Sequence, residues 1–260
     1  MARWSASVKS TGSSRRNWGS IIFVVVAYSV SLPFHLDFVQ VDKLFSDNDF
    51  ILIGGYMFAG LGPLIAGMLC WWRYPPKSAD ITLTGEHTVQ NLVILSLPLW
   101  AFTITGLPNK LGLNVHVFAF SFTLANLVYS SSEEFGWRLY LQNKLARLNP
   151  HLKYITIAAI WWVWHARFET RFDFFVFPWI CLGGGYLLGK LADDAKSVLP
   201  VICAHTLVIL ITNQNALSTK HYLAVGGVMT IWFAIGFFWP GSDQVQNASE
   251  DNEQSSEANG

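Results

Sequence analysis

The stretch GLNVHVFAFSFTLANLVYS, residues 112–130, contains no Asp, Glu, Lys or Arg, and SSEEFGWR, residues 131–138, follows it directly. An α-helix needs about 20 mostly apolar residues to cross the hydrocarbon core of a bilayer. The first segment therefore predicts a membrane-spanning helix. The second segment places three ionisable side chains, Glu133, Glu134 and Arg138, immediately after it.

The composition extends this pattern to the whole chain of 260 residues. Apolar residues make up 52% of the chain and charged residues only 13%, whereas a soluble domain carries about 25% charged residues. The 17 Lys and Arg balance the 17 Asp and Glu, but a nucleic-acid-binding protein has a basic excess. We therefore expect an integral membrane protein with the lipid bilayer as its partner and no nucleic acid. Cys70, Cys181 and Cys203 lie in apolar runs, which predicts small buried core residues.

Continuous apolar runs recur along the chain. Such runs favour helices over the strands of a membrane barrel, in which apolar and polar residues alternate. The sequence therefore predicts an all-α fold, a polytopic membrane helix bundle of about eight transmembrane helices. The predicted spans are residues 18–36, 50–72, 91–107, 112–130, 153–166, 173–190, 198–214 and 222–240.

Charge predicts the domain organisation and the orientation. Lys and Arg are concentrated in the N-terminal segment and in every second connection, and basic loops stay in the cytoplasm. Both termini are therefore expected to be cytoplasmic, and a bacterial inner membrane is the expected location. Residues 1–17 form a basic N-terminal segment, residues 18–240 the transmembrane domain, and residues 241–260 a disordered acidic tail.

The pair Glu133 and Glu134 has two interpretations. In the structural one, Ser130 or Ser131 and a Glu three residues later form a helix-capping box. The same interpretation has Glu134 forming an ion pair with Arg138, four residues further along the same helix. In the catalytic one, Glu133 projects about 100° away from Glu134 and has no partner nearby in the sequence. A free carboxylate beside a paired one is suited to general-base chemistry.

Two histidines, His165 in WWVWH (161–165) and His205 in CAHTL (203–207), lie in later apolar runs. A lone histidine in such a run is more often a hydrogen-bonded packing residue than a ligand. However, both follow the Glu pair on separate segments, so the three groups can meet and activate a water, with or without a metal ion. Converging polar groups are also typical of a proton-coupled transporter. The remaining histidines, His35 and His116 among them, need no functional explanation.

The order and spacing of these residues resemble those of the CPBP family, which comprises intramembrane CAAX proteases, bacteriocin-processing proteins and self-immunity proteins. The resemblance covers residues 112–214. It rests on Glu133-Glu134-x-x-x-Arg138, then Trp161-x-x-x-His165, then Pro200-Val-Ile-Cys-Ala-His205.

The resemblance implies a role for each of these residues. Glu133 would activate the hydrolytic water with help from His165, and His205 would stabilise the oxyanion. Glu134 and Arg138 would be supporting neighbours. The chain departs from the family pattern at two positions: Trp161 stands where the family commonly has Phe, and Ile209 stands where it has Asn. We expect the first change to preserve packing and the second to leave the oxyanion site incomplete.

The leading hypothesis is an intramembrane endopeptidase that hydrolyses a peptide bond of a membrane-associated peptide, for which a prenylated peptide is one candidate. We expect a metal-free glutamate mechanism without a cofactor. Zinc is the alternative, with Glu133, His165 and His205 as ligands, although no HExxH helix supports it. A catalytically weak immunity or binding protein of the same family is the second hypothesis. A proton-coupled transporter is the third, because paired broken helices are not evident.

Overall fold

In the part of the chain that the structure describes, helices form where the sequence has continuous apolar runs. The computed structural model describes residues 14–39, 55–212 and 217–239, and the regular elements in these ranges are all helical. The all-α prediction is therefore confirmed for this part of the chain. A 3₁₀ helix, Gly55–Gly60, precedes α2, and a π-helix, Phe135–Gln142, continues α4. The α-helices are α1 (Ser14–His35), α2 (Leu61–Arg73), α3 (Thr88–Thr105), α4 (Val115–Glu134), α5 (Pro150–Trp164), α6 (Arg171–Phe175), α7 (Phe177–Ala195), α8 (Leu199–Thr212) and α9 (Thr219–Phe238).

The predicted spans all overlap helices, but the helices differ in length. Within the described ranges, three are long and apolar enough to cross a membrane: Trp18–His35, Thr88–Thr105 and Thr219–Phe238. Helix α8 is apolar but shorter. The count of eight spans therefore stays a prediction. Most of the predicted basic N-terminal segment, up to residue 13, and the whole predicted acidic tail lie outside the described residues.

The helix that begins near residue 112 is longer than predicted. It starts after Asn114, whose side chain accepts hydrogen bonds from the backbone of its first turn, and it runs past residue 130 into the π-helix. The polar serines do not end it, because the hydroxyls of Ser131 and Ser132 donate to the helix carbonyls of Leu127 and Val128. The capping-box interpretation is therefore wrong: Ser130 and Ser131 lie inside a helix, not at its start.

The outer surface of the bundle is apolar. On α9 alone, Phe233 is 71% exposed and Phe237 is 81% exposed. A soluble monomer rarely presents large apolar patches to water, so this surface fits a lipid environment. The three cysteines are free and buried, as predicted.

Close packing of α5 against α7 depends on two glycines. A Cβ atom added to Gly185 would lie 2.6 Å from the Cβ of Ala158, and one added to Gly189 would lie 2.7 Å from the ring of Tyr154. This is the small-xxx-small spacing by which membrane helices approach each other. It brings α5, which carries the histidine candidate at its end, close to α7.

Gly185→Ala should lower the free energy of unfolding by about 1–3 kcal/mol, because the added methyl group overpacks the contact with α5. Gly184 is the matched control on the same helix, since a Cβ there meets nothing within 4 Å in the described part of the chain. Gly184→Ala should therefore be neutral or slightly stabilising. Thermal unfolding of both variants in one detergent measures the difference, and equal melting temperatures would contradict this packing.

Candidate active site

The two glutamates lie where α4 changes into the π-helix. Such π-helical segments occur frequently at functional sites. The backbone of α2 lies directly against this junction: a Cβ atom on Gly136 would come within 2.4 Å of the carbonyl oxygen of Pro63. A Cβ on Gly67 would lie 3.1 Å from the ring of Phe135. Contact with α2 therefore limits where the glutamate backbone can move.

Both carboxylate oxygens of Glu134 are hydrogen-bonded inside the protein. Arg138 Nε donates to Oε2 at 2.9 Å, and His205 Nδ1 donates to Oε1 at 2.7 Å. Glu134 and Arg138 are fully buried and His205 nearly so. The predicted ion pair between Glu134 and Arg138 is therefore confirmed. His205 hydrogen-bonds Glu134 rather than Glu133, and so links α8 to the end of α4.

Glu133 is also fully buried, but it is bonded differently. Its Oε2 accepts a hydrogen bond of 2.6 Å from the indole nitrogen of Trp161. Its Oε1 has no hydrogen-bond partner within the described ranges. The Tyr129 hydroxyl, one turn earlier, lies close enough to act as a hydrogen-bond donor to this carboxylate, but no bond of standard geometry forms to Oε1. One oxygen of Glu133 is thus fixed by Trp161, and the other is available to a small polar molecule.

His165 lies at the carboxyl end of α5, and its ring is partly buried. Its Nδ1 is 2.8 Å from the carbonyl oxygen of Trp161. A carbonyl only accepts hydrogen bonds, so Nδ1 carries the proton, and Nε2 of the neutral ring is the unprotonated nitrogen. His165 therefore has a basic nitrogen that can accept a proton or a hydrogen bond.

Trp161 lies between the three predicted catalytic side chains. Besides its bond to Glu133, its ring is 4.9 Å from the ring of His165 and 5.4 Å from that of His205, both edge to face. From the sequence, Trp161 was expected only to preserve the packing of the family's Phe, and this expectation misses the hydrogen bond that the indole makes. The signal was available, because a buried indole N–H usually finds an acceptor.

A third histidine near the site, His35, comes from outside the recognised motifs. The ring of His35, at the end of α1, lies 4.6 Å from that of Trp164 and 6.3 Å from that of His165. Its Nε2 is buried and has no hydrogen-bond partner in residues 14–39, 55–212 and 217–239. No role for His35 was expected from the sequence, because it lies far from the motifs along the chain.

The zinc alternative concerns the side chains of Glu133, His165 and His205. Among the residues that the structure describes, no group of three His, Cys, Asp or Glu side chains could hold a metal ion. His205 Nδ1 is bonded to Glu134, and His165 Nδ1 to a backbone carbonyl. Each histidine thus keeps Nε2 as the nitrogen that can face a water, a substrate or a metal ion.

The position of the missing asparagine is apolar and buried. Ile209 lies on α8 one turn after His205, and it is 8% exposed. The neighbouring Thr206 donates from its hydroxyl to that of Ser130 on α4 at 3.2 Å. Helix α8 therefore presents one imidazole and no amide to this part of α4 in the described ranges.

The far end of the π-helix is held by Asp193 of α7, beyond the predicted spans. Its carboxylate accepts hydrogen bonds from Gln142, Lys153 and Tyr154 at 2.8, 2.7 and 2.5 Å. Burial alone would raise the pKa of Asp193, but these donors outweigh burial and hold the pKa below its usual value. The π-helix is thus fixed at its start by α2 and at its end by α5 and α7.

Arg138→Met should lower the free energy of unfolding by about 3–5 kcal/mol, because it leaves a buried carboxylate without its cation. Lys190→Met is the matched control: Lys190 also pairs with an acid four residues away, Asp194, but on the surface. Such a surface pair contributes about 0–1 kcal/mol. Chemical or thermal unfolding measures both, and an Arg138 variant as stable as the Lys190 variant would contradict the structural role of the buried pair.

The chain was compared with known protein families and with curated proteins. Residues 114–211 match the family model described as Type II CAAX prenyl endopeptidase Rce1-like. No curated protein matches the chain. The matched segment begins at the cap of α4 and ends within α8. It contains all six residues of the site described above: Glu133, Glu134, Arg138, Trp161, His165 and His205.

Proposed function

We propose that this chain is an intramembrane endopeptidase that hydrolyses a peptide bond of a membrane-associated peptide, and the similarity of residues 114–211 to the Type II CAAX prenyl endopeptidase Rce1-like family supports this proposal. A prenylated peptide is the first candidate substrate. The apolar helices and the family match agree on an integral membrane protein. Eight spans, cytoplasmic termini and a bacterial inner membrane are part of the proposal.

The observation that carries the proposal is the different bonding of the two glutamates. Glu134 has both oxygens occupied, by Arg138 and His205, whereas Glu133 keeps Oε1 available. We assign Glu133 as the general base. It takes a proton from water, the resulting hydroxide forms a bond to the peptide carbonyl carbon, and the C–N bond then breaks. The proton held by Glu133 passes to the leaving amine nitrogen.

His165 assists by orienting the water. Its Nδ1–H is held by the Trp161 carbonyl, so the lone pair of Nε2 accepts a hydrogen bond from that water. A water that donates both of its hydrogens, to Glu133 and to His165, keeps its oxygen lone pairs free to attack a carbonyl carbon. Because Trp161 contacts both residues, it sets their relative position.

His205 stabilises the oxyanion. Because Nδ1 donates to Glu134, donation from Nε2 to the substrate requires the doubly protonated ring. That ring carries a positive charge beside the Glu134 carboxylate, and a charged donor stabilises the tetrahedral intermediate strongly in a site that excludes water. The charged imidazole thereby compensates for the absence of the asparagine that Ile209 replaces.

Glu133→Gln should abolish cleavage while the protein stays folded, because Gln accepts the Trp161 bond but takes no proton from water. An internally quenched, farnesylated peptide in proteoliposomes measures turnover, and comparative proteomics of cells with each form identifies uncleaved natural peptides. Glu86→Gln, at an exposed loop position, is the control. Cleavage by Glu133→Gln at the rate of the control would contradict the assignment.

Metal content tests the glutamate mechanism separately. The proposal expects purified, active protein to contain far less than one zinc per chain and to keep its turnover after treatment with a strong chelator. Elemental analysis together with the peptide assay measures both quantities. About one tightly held zinc per chain, with turnover lost on chelation and restored by zinc, would establish metal catalysis instead.

A further inference from the structure

A line of buried polar side chains follows one face of α4 up to the catalytic carboxylate. Thr123, Asn126 and Ser130 are fully buried, as Glu133 is. At 100° per residue these four side chains fall within about 80° of one another around the helix axis. A membrane helix rarely buries so many polar groups on one face without a functional reason.

Several atoms on this face lack partners. Asn126 Nδ2 donates to the carbonyl of Phe122 at 2.7 Å, but Asn126 Oδ1 accepts nothing from the described residues. Thr123 Oγ1 and Glu133 Oε1 are also buried and have no hydrogen-bond partner among the described residues. Each such group costs about 1–3 kcal/mol if it stays unsatisfied. Ordered water is the usual partner of such groups inside proteins.

The spacing suits a short chain of water molecules. Asn126 and Glu133 are separated by about 10 Å along the helix, which is too far for one bridging water. Ser130 lies between them. Its oxygen accepts from Thr206, so its own hydroxyl proton can still be donated to a water. Asn126, Ser130 and Glu133 therefore offer successive acceptors and donors along a single path.

We propose that Asn126, Ser130 and Glu133 hold a file of ordered water inside the bundle and that this file supplies the water that is hydrolysed. The second part rests on the proposed function. Each turnover consumes one water, whose hydroxyl joins the acyl carbon and whose proton goes to the amine. A site enclosed by apolar helices needs a path by which that water is replaced.

Asn126 also connects this path to a partly exposed residue. The Tyr56 hydroxyl interacts with the Asn126 side chain, and the Tyr56 ring lies 5.5 Å from that of Tyr129. Tyr56 belongs to the 3₁₀ helix, outside the family-matched segment, and is 39% exposed. Asn126 is thus a positioning residue for water, placed between Glu133 and the outer part of the bundle.

The water file can be measured without catalysis. In isotope-labelled protein in proteoliposomes, solid-state NMR measures magnetisation transfer from water to side-chain amides. Asn143 is the matched control, since it is equally buried but has its amide fully bonded to Ile81 and Leu139. We expect fast transfer to Asn126 and slow transfer to Asn143. Transfer to Asn126 as slow as to Asn143 would overturn the proposal.

Turnover of the farnesylated peptide tests the supply role. Asn126→Leu should lower kcat about tenfold or more while KM changes little, because the substrate contacts stay in place. Asn126→Thr, which keeps a hydroxyl for water, should restore most of the turnover. Water transfer at Asn126 combined with an unchanged kcat for Asn126→Leu would refute the supply role. An active Glu133→Gln variant would instead refute the proposed function, without changing the NMR result.

Discussion

The carboxylate of Glu134 between Arg138 and His205 is the interaction on which the site depends. A buried carboxylate is costly unless its oxygens are paired and hydrogen-bonded, and here one oxygen bonds the π-helix and the other bonds α8. Glu134 must therefore face α8. Helix geometry then turns Glu133 toward α5, where the indole nitrogen of Trp161 donates a hydrogen bond to it. The carboxylate of Glu134, whose role is structural, thus determines the direction in which Glu133, the proposed general base, points.

The π-helix holds this arrangement because it is fixed at both ends. At its start, the glycine contacts with α2 leave no space for a side chain. At its end, Gln142 bonds both the carbonyl of Gly189 and the carboxylate of Asp193. The glycines of α7 in turn let α5, which carries Trp161, pack closely against α7. Preorganised polar groups of this kind lower the cost of rearrangement during a reaction.

The sequence was sufficient for features that depend on local geometry. Apolar runs predicted the helices, and the four-residue spacing predicted the pair Glu134–Arg138, because helix neighbours are set by periodicity alone. The sequence did not predict the contacts between residues that lie far apart in the chain. The bond of His205 to Glu134, the bond of Trp161 to Glu133 and the approach of His35 to His165 depend on packing. The length of α4 was also underestimated, because charged residues look like a helix end until their buried partners are known.

The central claim is that two adjacent glutamates have separate duties, Glu134 in structure and Glu133 in chemistry. The most direct measurement is a paired determination of melting temperature for Glu134→Gln and Glu133→Gln in the same detergent. The account predicts that Glu134→Gln melts well below the wild type, since Arg138 and His205 lose their counter-charge. It predicts that Glu133→Gln melts at or above the wild type, since a buried charge is removed. The opposite order would contradict it.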